Sequence, residues 1–299
     1  MRPRRFLPSI SLLTAFEAVL RTGSTAAAAR ELSLSQGAVS RLVQNLETQL
    51  GRDLFERHRR RLVPTEAARA YGRDVGRALD VIQRSSMELV ANPGGGGLSL
   101  AILPAFGTRW LAPRLGRFAV AHPGITIHLA TRIGRFNFAT EGFDAAIYFG
   151  RDDWQDAGHM KLFDERLTAC AAPDLLRSHP VSAVSDMQGL PLLQIETRPS
   201  AWPRWFDMQG GTLPASSGML FDQFGPMIQA AISGLGVALL PDYLASAELG
   251  EGRLVPLLRP SLEGTGAYWL AWPKTRANHP PLEAFRNWLS GEILLEVQE

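Results

Sequence analysis

The residues of this 299-residue chain best placed to do chemistry lie near its N-terminus. Gln36 and Ser40 form one i, i+4 pair and Gly37 and Arg41 another, with Ser35 just ahead of both. On a helix this spacing sets them on one side of the first turns. Glutamine can make two hydrogen bonds to an adenine edge, while serine and arginine can hold phosphate oxygens. Further on, Arg57, Arg59, Arg60 and Arg61 crowd between the apolar anchors Leu54-Phe55 and Leu62-Val63. A small hairpin wing whose arginines reach phosphates or a narrow minor groove fits that order. The spacing alone also suits an ordinary helical hairpin with a wet polar face, followed by a solvated charge run.

Covalent and metal chemistry find no comparable constellation. The single cysteine, Cys170, lies in the apolar run Leu167-Thr168-Ala169-Cys170-Ala171, which reads as a buried strand with a structural thiol. One cysteine allows no internal disulfide and fits a reducing compartment. The six histidines are scattered, without His-Glu-x-x-His or Cys/His spacing, so neither a metal site nor a cofactor is expected. Ser216-Ser217-Gly218 lacks the flanks of a nucleophile elbow, and no carboxylate dyad stands out. The chain is not expected to be an enzyme.

The elements that position the polar residues follow from periodicity. Leu12, Leu13, Phe16, Val19 and Leu20 make a first helix ended by Gly23. Ser24 caps a second, alanine-rich helix over 25–32, and Ser33-Leu34 form a tight turn. Ser35 caps a third helix that reaches Leu50-Gly51, with Val39, Leu42, Val43, Leu46 and Leu50 as its buried stripe. A short helix, a tight turn and a helix polar at its N-terminal end is a helix-turn-helix. Thr65 then caps a long helix to about Val90, whose stripe of Ala68, Tyr71, Val75, Ala78, Leu79, Ile82 and Leu89 approaches a heptad repeat. Such a stripe, uncovered by a domain of its own, should pair with a second copy; the alternative is packing against the C-terminal domain. Asn92-Pro93-Gly94-Gly95-Gly96-Gly97 forms a flexible joint.

From Leu98 on, short apolar strands alternate with helices: strands at 98–103, 126–131, 145–149, 163–171, 192–195, 219–221, 237–240 and 268–271, helices at 108–121, 227–233, 242–247 and 281–289. Alternation implies α/β layers, and two chain crossings imply two lobes with a cleft. The turn at Ala105-Phe106-Gly107-Thr108 opens a helix, where free N–H groups favour a polar or anionic ligand atom. Asp222-Gln223 occupies the matching turn of the other lobe.

Charge divides the same way. Residues 1–66 hold 11 Arg against 6 Asp and Glu, a net +5, and the remainder holds 20 Lys and Arg against 23 acids, a net −3. A basic head on an acidic body points to a polyanion partner for the head alone. Arg2, Arg4 and Arg5 ahead of an apolar stretch resemble an export leader, but Pro8, Glu17 and Arg21 interrupt it. A cytoplasmic protein is expected.

Thr25-Ala26-Ala27-Ala28, Leu32 through Arg41, Leu46-Glu47, Leu50-Gly51, Leu54-Phe55-Glu56-Arg57 and Pro64-Thr65 together resemble the DNA-binding signature of the LysR family of transcriptional regulators. Leu103 through Leu115, Asp144 through Arg151, Gly234 through Leu239 and Tyr268-Trp269-Leu270 resemble the effector domains of the same family, in its glycine-cleavage-activator and β-lactamase-regulator branch. The resemblance implies an N-terminal all-α winged helix-turn-helix (1–66), a linker and dimerisation helix (65–92) and a hinge (93–97). An α/β effector domain of two-lobed, periplasmic-binding-protein-like (type 2) fold follows (98–299), with lobe I about 98–165 and 270–299 and lobe II about 166–269. It implies base contact by Gln36 and Gly37, backbone contact by Ser40 and Arg41, and minor-groove entry by Arg60. Gly37 departs from the Pro, Ser or Ala usual there. Pro104, Phe106, Gly107, Thr108, Phe149, Asp222, Gln223 and Tyr268 are the expected effector contacts. Arg132 and Trp202 are weaker candidates, as well suited to surface or packing roles. The expected partners are operator DNA, a small-molecule effector, a second copy through the linker helix, a tetramer built from such dimers, and RNA polymerase for an activator. The alternative is an exported or cytoplasmic solute-binding protein without a gene-regulatory role.

Overall fold

A computed structural model describes residues 6–58, 61–91, 96–214 and 218–298. The chain forms two compact units, Met1–Pro93 and Gly94–Glu299.

In the first unit, α1 (Ile10–Thr22), α2 (Thr25–Glu31) and α3 (Gln36–Leu50) pack around Ala15, Ala18, Val19, Ala28, Val39 and Val43. Each starts on a serine whose hydroxyl accepts a backbone N–H: Ser9, Ser24 and Ser35. Left-handed Gly23 and Gly51 end α1 and α3. Strands β1 (Phe55–His58) and β2 (Arg61–Pro64) pair antiparallel as a hairpin. The Glu47 carboxylate of α3 accepts the N–H groups of Leu54 and Phe55 at 2.8 and 3.1 Å, tying the hairpin's first strand to α3.

Thr65 caps α4 (Glu66–Ala91) through the N–H of Ala68 at 3.1 Å. Its expected stripe divides in two. Ala68 and Val75 are buried with Phe16, Leu46 and Leu54, and Tyr71 and Leu79 pack against the same cluster. Gly72 admits α1 so closely that a Cβ there would lie 2.0 Å from Leu20 Cδ2. Ile82, Met87, Leu89 and Val90 are exposed. The N-terminal half of the helix thus serves its own unit's core, and only the far half is uncovered. The expected joint at 93–97 lies outside the described residues as far as Gly95.

The second unit carries one continuous set of strands in the order β4-β3-β5-β11-β6-β9-β7-β8, with β10 against β6. One end holds β3 (Gly97–Ile102), β4 (Thr126–Thr131) and β5 (Ala145–Gly150), and the other holds β7 (Leu192–Ile195), β8 (Leu220–Phe221), β9 (Val237–Pro241) and β10 (Val255–Pro256). Among the described residues only β6 (Ala157–Ala171) and β11 (Leu262–Pro273) belong to both ends. The register of this pair shifts between Glu263 and Ala267 and again between Tyr268 and Trp269, where the chain crosses from lobe to lobe. Lobe I closes on Leu98, Leu100, Phe106, Trp110, Phe118 and Phe285, and lobe II on separate clusters around Trp202 and Trp205 and around Met227 and Ile228.

The single helix expected over 108–121 is instead two pieces, a π turn and a helix, preceded by a short helix that starts at Pro104. Helix α5 (Pro104–Phe106) begins on proline at its first position, runs into a π turn (Gly107–Leu111) and breaks before α6 (Leu115–Ala121). Pro113 lies in the break, where its missing N–H and its ring oppose a continuous helix. Helix α7 (Phe138–Glu141) leads into β5, α8 (Pro173–Ser178) follows β6, and α9 (Ala201–Met208) follows β7. Helices α10 (Phe224–Ile232), α11 (Asp242–Gly250) and α12 (Pro280–Gln298) complete the lobes.

Candidate functional site

Two sites emerge, one in each unit. In the first, Ser35, Gln36, Gly37 and Arg41 are exposed together at the start of α3, with Ser40 half-buried beside them. Ser35 Oγ accepts the Ala38 N–H at 3.2 Å, so that hydroxyl is a cap as well as a surface group. Gln36 Nε2 donates to Thr25 Oγ1 at 3.2 Å, which orients the amide across the turn between α2 and α3. Ser33 makes that turn in the left-handed region, with φ of 54°. A Cβ on Gly37 would meet nothing within 4 Å, so the glycine answers no packing demand here. No ion pair reaches Arg41 among the described residues, leaving its cation available for a polyanion. Arg57 and Arg61 stand on the hairpin strands, while Arg59 and Arg60 lie outside the described residues.

The second site is a cavity of about 320 Å³ in the second unit, where the lobes meet their crossing strands. Lobe I supplies Leu103 through Phe106, from the end of β3 and the start of α5, together with Ile133 and Phe149. Lobe II supplies Thr197 and Arg198 after β7, and Asp222, Gln223 and Phe224 where β8 turns into α10. Tyr268 on β11 and Tyr243 on α11 complete the wall. The two strand-to-helix turns expected from the sequence therefore border one cavity.

Its charged floor was not legible in the sequence. Arg198 Nε and Nη2 donate to Glu165 Oε2 and Oε1 at 2.8 and 2.7 Å, a two-pronged ion pair. Arg198 Nη1 donates to the Thr197 carbonyl at 3.0 Å, and the guanidinium lies 3.4 Å from the Phe149 ring centre. Tyr268 Oη donates to Glu165 Oε1 at 2.9 Å. Glu165 is on β6 and Tyr268 on β11, so this lobe II arginine is joined to both crossing strands. Burial opposes the charge on Arg198, yet its hydrogen bonds and attraction to Glu165 raise its pKa on balance. Burial pushes the phenols of Tyr243 and Tyr268 well above the usual range, so both are neutral hydrogen-bond donors. Phe106 stacks near Tyr268 and Tyr243, with ring centres 6.1 and 5.7 Å apart.

Of the expected effector contacts, Pro104, Phe106, Phe149, Asp222, Gln223 and Tyr268 line this cavity. Gly107 and Thr108 do not. Gly107 is buried, and a Cβ there would come within 2.3 Å of Ile102 Cδ1. The exposed Thr108 hydroxyl donates back to the carbonyls of Pro104 and Ala105 at 3.0 and 3.3 Å, because α5 starts four residues earlier than the periodicity suggests. Arg132 pairs with Glu141 at 3.1 Å on the surface, and Trp202 is a core residue whose Nε1 donates to the Leu193 carbonyl at 2.9 Å. Thr197, Arg198, Phe224 and Tyr243 join the lining, with Glu165 behind it. The partnership of Arg198 with Glu165 spans 33 residues, and no local spacing announces it. Among the described residues no group of His, Cys, Asp and Glu could hold a metal ion, and no helix is long and apolar enough to cross a membrane.

Comparison with known proteins gives two family matches. Residues 10–69 match the bacterial regulatory helix-turn-helix protein family of lysR type, and residues 91–293 match the LysR substrate binding domain. The chain is 33% identical to the HTH-type transcriptional activator AmpR of Rhodobacter capsulatus over 95% of its own length and 96% of that protein's. It is 31% identical to the glycine cleavage system transcriptional activator of Escherichia coli K12, covering 98% of this chain and 96% of that one. CrgA, a LysR-type transcriptional regulator from Neisseria meningitidis, superposes with a TM-score of 0.59 at 27% identity, over 95% of this chain and 99% of the other.

Proposed function

The chain belongs to the LysR family, as a DNA-binding transcriptional regulator with an effector-binding domain, and from that premise we propose how its residues divide the task. Residues 1–66 are the reading head, 65–92 the linker and dimerisation helix, 93–97 the hinge and 98–299 the effector domain. Gln36 and the exposed backbone of Gly37 face base edges, while Ser35, Ser40 and Arg41 hold the phosphate backbone. Arg57, Arg59, Arg60 and Arg61 carry the wing to phosphates and the minor groove.

The effector occupies the cavity walled by Pro104, Phe106, Phe149, Asp222, Gln223 and Tyr268. A ligand there changes the protein only through different affinities for two arrangements of the lobes. No covalent step on the effector is part of this proposal. Two copies pair through the exposed half of α4, dimers join into tetramers, and the protein acts on DNA in the cytoplasm, with RNA polymerase as the partner if it activates. The observation that carries the effector proposal is that turns from both lobes and a residue of a crossing strand wall a single cavity.

The test is selection of DNA from a random pool by the full chain, wild type and Gln36→Ala. The wild type should recover a defined sequence. Gln36→Ala should relax choice at one base pair by ~1–3 kcal/mol while holding DNA of any sequence nearly as well. Arg41→Ala should instead weaken binding to all sequences and lessen its salt dependence. Recovery of no preferred sequence by the wild type defeats the regulatory function, and an unchanged preference in Gln36→Ala removes that residue from base reading.

A further inference from the structure

The cavity's chemistry narrows what can fill it. Its walls are mostly apolar and aromatic, with Phe106, Phe149, Phe224, Tyr243 and Tyr268 arranged around the space. Arg198, the one cation among the described lining residues, already has a counter-ion. Two of its nitrogens are held by Glu165 and a third by the Thr197 carbonyl, and its flat face is against Phe149. These bonds use three of its five N–H groups, so a ligand carboxylate could reach only the remaining ones on Nη1 and Nη2, on a cation whose charge is already balanced by the fully buried Glu165. Asp222 differs. It lines the cavity at the exposed rim, and no hydrogen bond or ion pair reaches its carboxylate among the described residues.

With Arg198 and Glu165 cancelling, Asp222 leaves the site with a net negative charge. The N-terminus of α10 opposes it with the partial charge of a helix end, about half an elementary charge. Pro226, in the first turn, also removes one of the N–H groups through which that end would act. A full carboxylate outweighs this remainder. Aromatic faces attract cations as well as apolar rings, and the neutral phenols of Tyr243 and Tyr268 add no negative charge.

We propose, resting on the assignment of this cavity as the effector site, that its ligand is a small ring-bearing cation, an arylalkylamine in type. The ring lies among Phe106, Phe224 and the two tyrosines, and the ammonium group is received by Asp222. Carboxylates of the same skeleton are rejected by Asp222, while neutral analogues bind between the two. This departs from the polar or anionic ligand that the opening turn of α5 suggests in the sequence.

Three probes of matched skeleton test it by titration calorimetry on the full chain: tryptamine, tryptophol and indole-3-acetate. Tryptamine should bind at least tenfold more tightly than indole-3-acetate, with tryptophol between them. Asp222→Asn should bring tryptamine to the affinity of tryptophol and improve indole-3-acetate. The proposal is overturned if indole-3-acetate binds as tightly as tryptamine, if Asp222→Asn leaves the ranking unchanged, or if none of the three binds. Filling the cavity with Ala105→Trp, or from the opposite wall with Thr197→Trp, separates this failure from failure of the site. Loss of probe binding in a folded filled variant places the probes in the cavity, whichever charge it prefers. Undiminished binding in both filled variants overturns the cavity as their site and the proposal with it.

Discussion

At the scale of single residues, short-range signals were legible and partnerships across the fold were not. Ser24 and Ser35 announced their capping roles by position alone, and both accept the expected N–H groups. Cys170 is the buried strand thiol its apolar neighbours suggested, with a pKa pushed up to about 12, chiefly by burial. Tyr268 was found through resemblance, but its partner Glu165 lies 103 residues away and shares no motif with it. That hydrogen bond gives Tyr268→Phe a defined effect. Oε1 of a buried carboxylate loses one donor while the ring stays in its cluster, so unfolding in urea near pH 7 should register a loss of ~1–3 kcal/mol. Alkaline pH should narrow the difference. A phenol whose folded pKa is raised contributes stability that is complete below its unfolded value near 10 and declines as pH rises towards the folded one. The wild type should therefore lose up to about 1.4 kcal/mol per pH unit above pH 10 that the phenylalanine variant does not. Parallel stability–pH curves for the two proteins would show that the Tyr268 hydroxyl is not buried as described.

Elements were legible where period and capping agree, and less so where a long-range neighbour decides. Strands β4 and β7 have the expected bounds because short apolar runs are flanked by clear breaks. Strand β6 begins six residues before the expected Phe163, since His159 and Lys161 blur its alternation although pairing with β11 continues past them. Helix α9 is absent from the expected elements; its Pro203 sits in the first turn, where a missing N–H costs nothing. In α4 the period was right and its uniform assignment to a dimer seam was not, because Val75 is filled in by Phe16 and Leu46 of the same unit. Charges at Val75 would therefore unfold the head rather than separate two copies. Ile82→Asp with Leu89→Asp is the cleaner pair, seven residues apart on one face, exposed, and outside that core. Light scattering should report a dimer or tetramer for the wild type and a monomer for this variant, with thermal unfolding of the head unchanged. An oligomer that survives both charges would exclude the far half of α4 as the main interface.

At the scale of the whole molecule, the sequence conveyed two lobes and a cleft, but not what spans the cleft. Besides the Glu165–Arg198 pair at the crossing strands, a second bridge joins the π turn of lobe I to α11 of lobe II. Arg109 donates to Glu248, which also accepts from Arg253 at 2.5 Å. The Glu248 side chain is only 2% exposed, whereas Arg109 and Arg253 are 23% and 45% exposed. Burial works against this carboxylate, but hydrogen bonds from Arg253 and Arg109 outweigh it and hold its pKa below the usual range. A depressed carboxylate pKa gives stability that is present above the unfolded value near 4.3 and is lost as pH falls through the folded value. Acid should thus weaken the bridge between the lobes, and Glu248→Gln should do so at neutral pH. The cost should lie between the ~0–1 kcal/mol of an exposed pair and the ~3–5 kcal/mol of a broken buried one, because both arginines can turn to water. Loss of a bridge between lobes frees their relative motion, and that motion bends the strands where their register shifts. Amide hydrogen exchange in β11 between Leu262 and Tyr268 should therefore be faster in Glu248→Gln than in the wild type at pH 7, after correction for intrinsic rates, while the core strand β3 exchanges alike in both. Acceleration in β3 to the same degree would mean that the variant destabilises the whole domain, and unchanged exchange in β11 would mean that Arg109 and Glu248 do not restrain the lobes.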